Sequence, residues 1–159
     1  MFRMDRMERH LMEIILKTIG VIHTPFQETT GMPIQSARSD FEGSVEVDAE
    51  YLDGLDGIEE FSHIYLLYAL HRAETNGPLK VQPFLDDRLH GIFATRFPMR
   101  PNPIGISVVR LTGRKGSILH FKGADMLDGT PLLDIKPYIP EFDIFDVEKI
   151  GWYQNRKHD

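Results

Sequence analysis

Residues 104–122 read Ile104-Gly105-Ile106-Ser107-Val108-Val109-Arg110-Leu111-Thr112-Gly113-Arg114-Lys115-Gly116-Ser117-Ile118-Leu119-His120-Phe121-Lys122. Two strand-like pieces, 104–112 and 117–122, flank Gly113-Arg114-Lys115-Gly116. Glycines at both ends of that short polar segment make it a hairpin turn. Similar pieces recur outward from this pair. Upstream, residues 14–22 are rich in β-branched side chains and end at His23-Thr24-Pro25, where Pro25 has no N–H to give a ladder. Residues 41–47 alternate apolar with polar, as a half-buried strand does. Residues 61–71 form a nearly continuous apolar run that suits a central strand buried on both faces, and a buried helix fits the same run. Residues 80–85, 91–96 and 132–139 complete the set. Asp48 stands where it can cap a short helix reaching Leu55, with Gly54 and Gly57 limiting its length. Short strands separated by turns, without long amphipathic helices between them, indicate a mainly β sandwich or barrel. No G-x-G occurs, so the Rossmann fingerprint is absent, and no P-loop is present.

The 159 residues suit one domain. Residues 1–12 read as an N-terminal extension, 13–142 as the core domain, and 143–159 as a tail with room for one short helix around Trp152. A hydrophobic share of 42% with 26% charged residues argues against disorder. The chain has no cysteine, which excludes disulfides and thiol chemistry and fits a reducing compartment, so a cytoplasmic location is expected. No apolar run approaches the roughly 18 residues of a membrane span, and residues 1–13 lack the apolar segment of a signal peptide.

Charge is segregated. The net formal charge is −6, which by itself disfavours a polyanionic partner. Residues 88–122, however, hold seven basic side chains and no acidic one, while residues 40–60 hold nine acidic and no basic. The basic stretch contains Phe97-Pro98-Met99-Arg100-Pro101-Asn102-Pro103, whose prolines fix φ and push Phe97, Arg100 and Asn102 toward extended conformations. Arg96, Arg100 and Asn102 share one parity there, an arrangement suited to an anion. A second dense segment runs from Asp125 to Tyr138; Asp128-Gly129-Thr130-Pro131 is turn chemistry, and Asp134 and Lys136 fall on one strand face where they can pair. The 7 histidines are scattered without H-x-H or H-E-x-x-H spacing, so no metal is expected. No G-x-S-x-G elbow is present.

Several of these segments together resemble the TsaA-like (TrmO-type) family. They are Ile19-Gly20-Val21-Ile22-His23-Thr24-Pro25-Phe26, Pro33-Ile34-Gln35, Gly54-Leu55 through Phe61-Ser62-His63, Gly91 to Arg96, Arg100 to Gly105, and Asp128 to Tyr138. The resemblance spans about residues 14–140. It implies a small antiparallel β-barrel with few short helices, a homodimer, and S-adenosylmethionine-dependent methylation of the N6 atom of N6-threonylcarbamoyladenosine in the tRNA anticodon loop. It implies cofactor contacts at Pro33, Ile34, Gln35, His71, Arg72, Arg96, near Val108, and at Asp125, Met126, Leu127 and Asp128. The acceptor would be a urea-like nitrogen whose lone pair is delocalised, so a proton acceptor or hydrogen bond is needed beside it. Asn102, Asp134 and Tyr138 are expected in that role, and Arg100, Arg110 and Lys115 at anticodon-loop phosphates. The alternatives are a non-catalytic S-adenosylmethionine- or RNA-binding module, or a methyltransferase for a small molecule or protein.

Overall fold

A computed structural model describes residues 12–157, so the extension expected at 1–12 lies almost wholly outside the described residues. Among the described residues eight strands form in chain order: β1 (Gly20–His23), β2 (Glu42–Val47), β3 (His63–Ala69), β4 (Lys80–Val81), β5 (His90–Gly91), β6 (Ile104–Lys115), β7 (Ile118–Lys122) and β8 (Thr130–Pro137). Six of them close a barrel in the order β1-β2-β7-β6-β3-β8, with β8 returning to β1. Every pairing is antiparallel. β4 and β5 make a separate two-stranded ribbon. The expected mainly β fold, a small antiparallel barrel with a few short helices, is the one observed.

The 104–122 hairpin is the longest element. Its turn is tighter than expected, because β6 continues through Lys115 and the chain reverses at Gly116 and Ser117. Gly116 has φ +61, in the left-handed region that glycine enters without a Cβ clash. Inward-facing Ile22, Val45, Ile64, Leu66, Val109, Leu119, Phe121 and Leu132 fill the barrel, each almost wholly buried. β3 alternates rather than being buried on both faces. Ile64, Leu66 and Tyr68 point inward, whereas His63, Tyr65, Leu67 and Ala69 lie half-buried on the outer face.

Three other expectations change. Residues 14–19 are not a strand; Ile14, Ile15 and Leu16 are exposed, because pairing to β2 and β8 begins only at Gly20. β-branched composition cannot make a strand without a neighbour to accept its hydrogen bonds. Residues 91–96 give a short 3-10 turn at Ile92–Ala94 after β5, and 80–85 yield only β4. Residues 49–55 are helical, but as a 3-10 helix whose first residue follows an Asp48 that makes no side-chain cap.

Candidate functional site

Five segments meet at the barrel end where β3 finishes and β6 begins. Tyr68 comes from β3 and Ser107 from β6, both inward-facing and buried. Asp125 comes from the loop between β7 and β8. Gln35 and Ser36 come from the loop between β1 and β2, and Arg96 from the loop entering the proline-rich segment. The Ser107 hydroxyl donates to Asp125 Oδ1 at 2.6 Å. Its single proton is thereby used, so the Tyr68 hydroxyl is the donor in the 2.8 Å contact between Tyr68 Oη and Ser107 Oγ. Arg96 Nη1 donates to Gln35 Oε1 at 2.7 Å.

Burial dominates the electrostatics. It pushes the Asp125 carboxyl up to about 6, against the hydrogen bonds of Ser107 and the Ser36 amide and the charge of Arg96. Burial also raises the Tyr68 hydroxyl, and the Asp125 charge adds to that rise. With its pKa near 6 the carboxyl is ionised at pH 7.5, and beside the exposed Arg96 guanidinium it offers two opposite charges to a ligand. Gly105 helps set this arrangement, because a Cβ there would overlap the Tyr68 ring.

A second network clamps the adjoining turn. Asp128 accepts from the Thr24 amide at 3.0 Å and Gln27 Nε2 at 3.2 Å, with His23 Nδ1 at 3.6 Å. The Thr24 amide leads the effects that hold the Asp128 carboxyl below its usual range. Arg72 Nη1 donates to the Gln27 carbonyl at 2.8 Å. The Asp128 and Arg72 side chains therefore brace the loops. Met126 packs in the core and Leu127 against it, so of these four residues only Asp125 turns a charge toward Ser107. Pro33 is half-buried beside an exposed Ile34, and His71 is exposed on the turn after β3. Val108 lies on the outer sheet face opposite Tyr65, so its neighbour Ser107 is the residue that reaches Asp125.

Asn102, Asp134 and Tyr138 do not converge within the chain. Asn102 precedes Ile104, which pairs with Ala69 at one end of β3, while the Tyr138 amide donates to His63 at the other. β3 has 7 residues, so these ends stand roughly 20 Å apart. A register shift at Leu67/Tyr68 makes Leu133 an extra residue in β8; Asp134 opposite Leu67 therefore faces outward and Ile135 inward. The predicted Asp134–Lys136 pair forms at 2.9 Å.

The proline-rich loop bends at Pro98 and again at residues 100–102. Arg100 turns back, Nη1 donating to the carbonyls of Thr95 and Phe97 at 3.1 Å each. Arg96 and Arg100 thus do not project together. Arg110 and Lys115 are exposed, and Lys115 lies roughly 25 Å along β6 from Ser107. Elsewhere on the barrel, an open cleft of about 440 Å³ is lined by His23, Ser44 and His120, which sit in register across β1, β2 and β7. Among the described residues no group of three or more His, Asp or Glu is placed to hold a metal ion, and no helix is long and apolar enough to cross a membrane.

A family model, tRNA-methyltransferase O N-terminal domain, matches residues 21–144. The chain belongs to the tRNA-methyltransferase O family. A probable S-adenosyl-L-methionine-binding protein of Pyrococcus abyssi is 57% identical over 146 residues, covering 91% of this chain and 79% of that one. The tRNA (adenine(37)-N6)-methyltransferase of Mus musculus is 36% identical over 137 residues, covering 82% of this chain and 32% of the mouse protein. The crystal structure of TrmO from Pseudomonas aeruginosa superposes with a TM-score of 0.74 at 36% identity, over 88% of this chain and 62% of that one. The chain therefore spans less than two thirds of the solved TrmO chain.

Ser107 and Tyr68 are the site residues the sequence reading passed over. Each is a hydroxyl-bearing side chain that an apolar strand turns inward, and that parity was the available signal.

Proposed function

We propose that this chain is an S-adenosylmethionine-dependent tRNA methyltransferase acting on the N6 atom of N6-threonylcarbamoyladenosine in the anticodon loop. The observation that carries the reading is the meeting of Gln35, Arg96, Ser107 and Asp125 from separate segments, in a chain of the tRNA-methyltransferase O family. The donor set fits a methionine-type zwitterion: Arg96 suits its carboxylate and Asp125 its ammonium. When bound, S-adenosylmethionine supplies a methyl group on a sulfonium, which an in-line nucleophile displaces.

The chain's residues then hold the ends and orient the acceptor. Ser107, fixed by Tyr68, keeps Asp125 aimed at the cation. Asn102 lies at the same barrel end and hydrogen-bonds the acceptor nitrogen, localising its lone pair; the displaced proton passes to water. Asp134 and Tyr138 belong to the outer face of β3, β6 and β8. That face carries exposed Ile104 and Ile106 beside half-buried Tyr65, Leu67 and Val108, an apolar surface that supports a homodimer. Arg110 and Lys115 contact phosphates along the basic strand, and Arg100 holds the loop that presents Asn102. The enzyme works in the cytoplasm, where its RNA is found.

A second reading has one specific support: the Pyrococcus relative is named as a binding protein. One assay separates the two. Labelled S-adenosylmethionine is incubated with the protein and tRNA that carries or lacks the threonylcarbamoyl group. Transfer to the modified tRNA alone supports the methyltransferase; binding with no transfer to any RNA supports the module.

A further inference from the structure

The segment Gly151–Asn155 forms a 3-10 turn against the outside of the loops that carry Gln35 and Arg96. Gly151, with φ +59, lets the chain turn into it. Trp152 Nε1 donates to the carbonyl of Ala94 at 2.7 Å, and its ring stacks on His90 with centroids 5.3 Å apart. Ala94 ends the turn that leads to Arg96. The Tyr153 hydroxyl accepts from Arg38 Nη2 at 3.2 Å, and Arg38 ends the turn that follows Gln35. Arg156 covers the Tyr153 ring at 4.2 Å. The Lys157 amide donates to the Leu85 carbonyl at 2.9 Å, and its Nζ pairs with Asp87. The strap is thereby moored on the β4–β5 ribbon.

These contacts close a ring. From Trp152 it passes through Ala94 to Arg96, across to Gln35, along to Arg38, and back through Tyr153. Neither loop belongs to the barrel, and no strand pairing joins one to the other among the described residues. Residues 151–157 bridge two loops 61 residues apart in the chain, which also meet through Arg96 and Gln35.

We propose that Trp152 and Tyr153 are positioning residues for the cofactor site. They hold the Gln35 and Arg96 loops at the separation that binds the cofactor, so the ordering cost is met before the ligand arrives. This rests on the cofactor reading above.

Trp152 is the one tryptophan in the chain, so its emission reports on the strap alone. S-adenosylhomocysteine, which lacks a transferable methyl, is titrated into the whole protein and followed by fluorescence and calorimetry. Wild type is expected to show a saturable emission change with the same Kd by both methods. Tyr153→Phe, which removes one hydrogen bond, weakens binding roughly fivefold, and Trp152→Phe, read by calorimetry, does likewise. Melting midpoints fall by no more than about 4 °C. In the transfer assay KM for the cofactor rises while KM for tRNA is unchanged. Wild-type binding combined with unchanged affinity in both variants overturns the proposal and leaves the cofactor reading intact. Absence of binding by wild type overturns the cofactor reading, and this proposal with it.

Discussion

Asp125→Asn is expected to make the protein more stable at neutral pH while destroying its site. Burial raises this carboxyl from its ordinary 3.8 to about 6. The folded protein therefore holds the proton more tightly than the unfolded chain does. The native state is favoured as pH falls from 6 toward 3.8, and that contribution is lost as pH rises through 6. At pH 7.5 the ionised carboxylate costs about 3 kcal/mol. Asparagine keeps the shape and an oxygen for Ser107, but its amide cannot also accept from the Ser36 N–H, which offsets about 1 kcal/mol. A net gain of about 1–2 kcal/mol corresponds to roughly 3–8 °C in melting midpoint for a chain of this size. The assay is thermal melting of wild type and variant at pH 7.5 and 4.5. The gap should be open at pH 7.5 and closed or reversed at pH 4.5, where wild-type Asp125 is protonated. Calorimetry should show S-adenosylhomocysteine binding lost in the variant. An Asn variant no more stable than wild type at pH 7.5, with a gap independent of pH, would refute the strained-carboxylate argument.

Other substitutions probe the barrel end, the proline-rich loop and the outer sheet face. Gly105→Ala drives a Cβ into the Tyr68 ring and should cost about 1–3 kcal/mol in denaturant melts while weakening cofactor binding through Ser107. Arg100→Ala frees the carbonyls of Thr95 and Phe97 and should lower stability by about 1–2 kcal/mol. The salt slope of its tRNA binding should stay at the wild-type value; a shallower slope would restore Arg100 as a phosphate contact. Ile106→Glu puts a charge in the centre of the apolar outer face and should convert a dimer to a monomer in sedimentation.

Much of the barrel was legible because its signals are local. The 104–122 hairpin announces itself by turn glycines between apolar pieces, and residues 41–47 by alternation. What failed depended on neighbours. Ile14, Ile15 and Leu16 have strand composition but no partner strand. The run at 61–71 looked buried on both faces because one chain's sequence does not reveal that its outer face is only half covered. A single extra residue at Leu133 reverses the facing of Asp134, and a bulge of that kind leaves no mark in composition. Asn102 and Tyr138 fall in two of the family-like segments, yet strand pairing sets them at opposite ends of β3. Arg100 and Arg96 share a parity only in a straight chain, and the prolines bend it. Tyr68 and Ser107, by contrast, could have been found by asking which polar side chains an apolar strand turns inward.

Gln35, Arg96 and Asp125 are proposed to hold a methyl-donating cofactor. A crystal structure of the protein with S-adenosylhomocysteine tests it most directly. The ligand carboxylate is expected on Arg96 and its amino group on Asp125, with Ser107 still donating to Asp125. A ligand seated instead in the cleft between His23, Ser44 and His120, with Arg96 and Asp125 untouched, would contradict it.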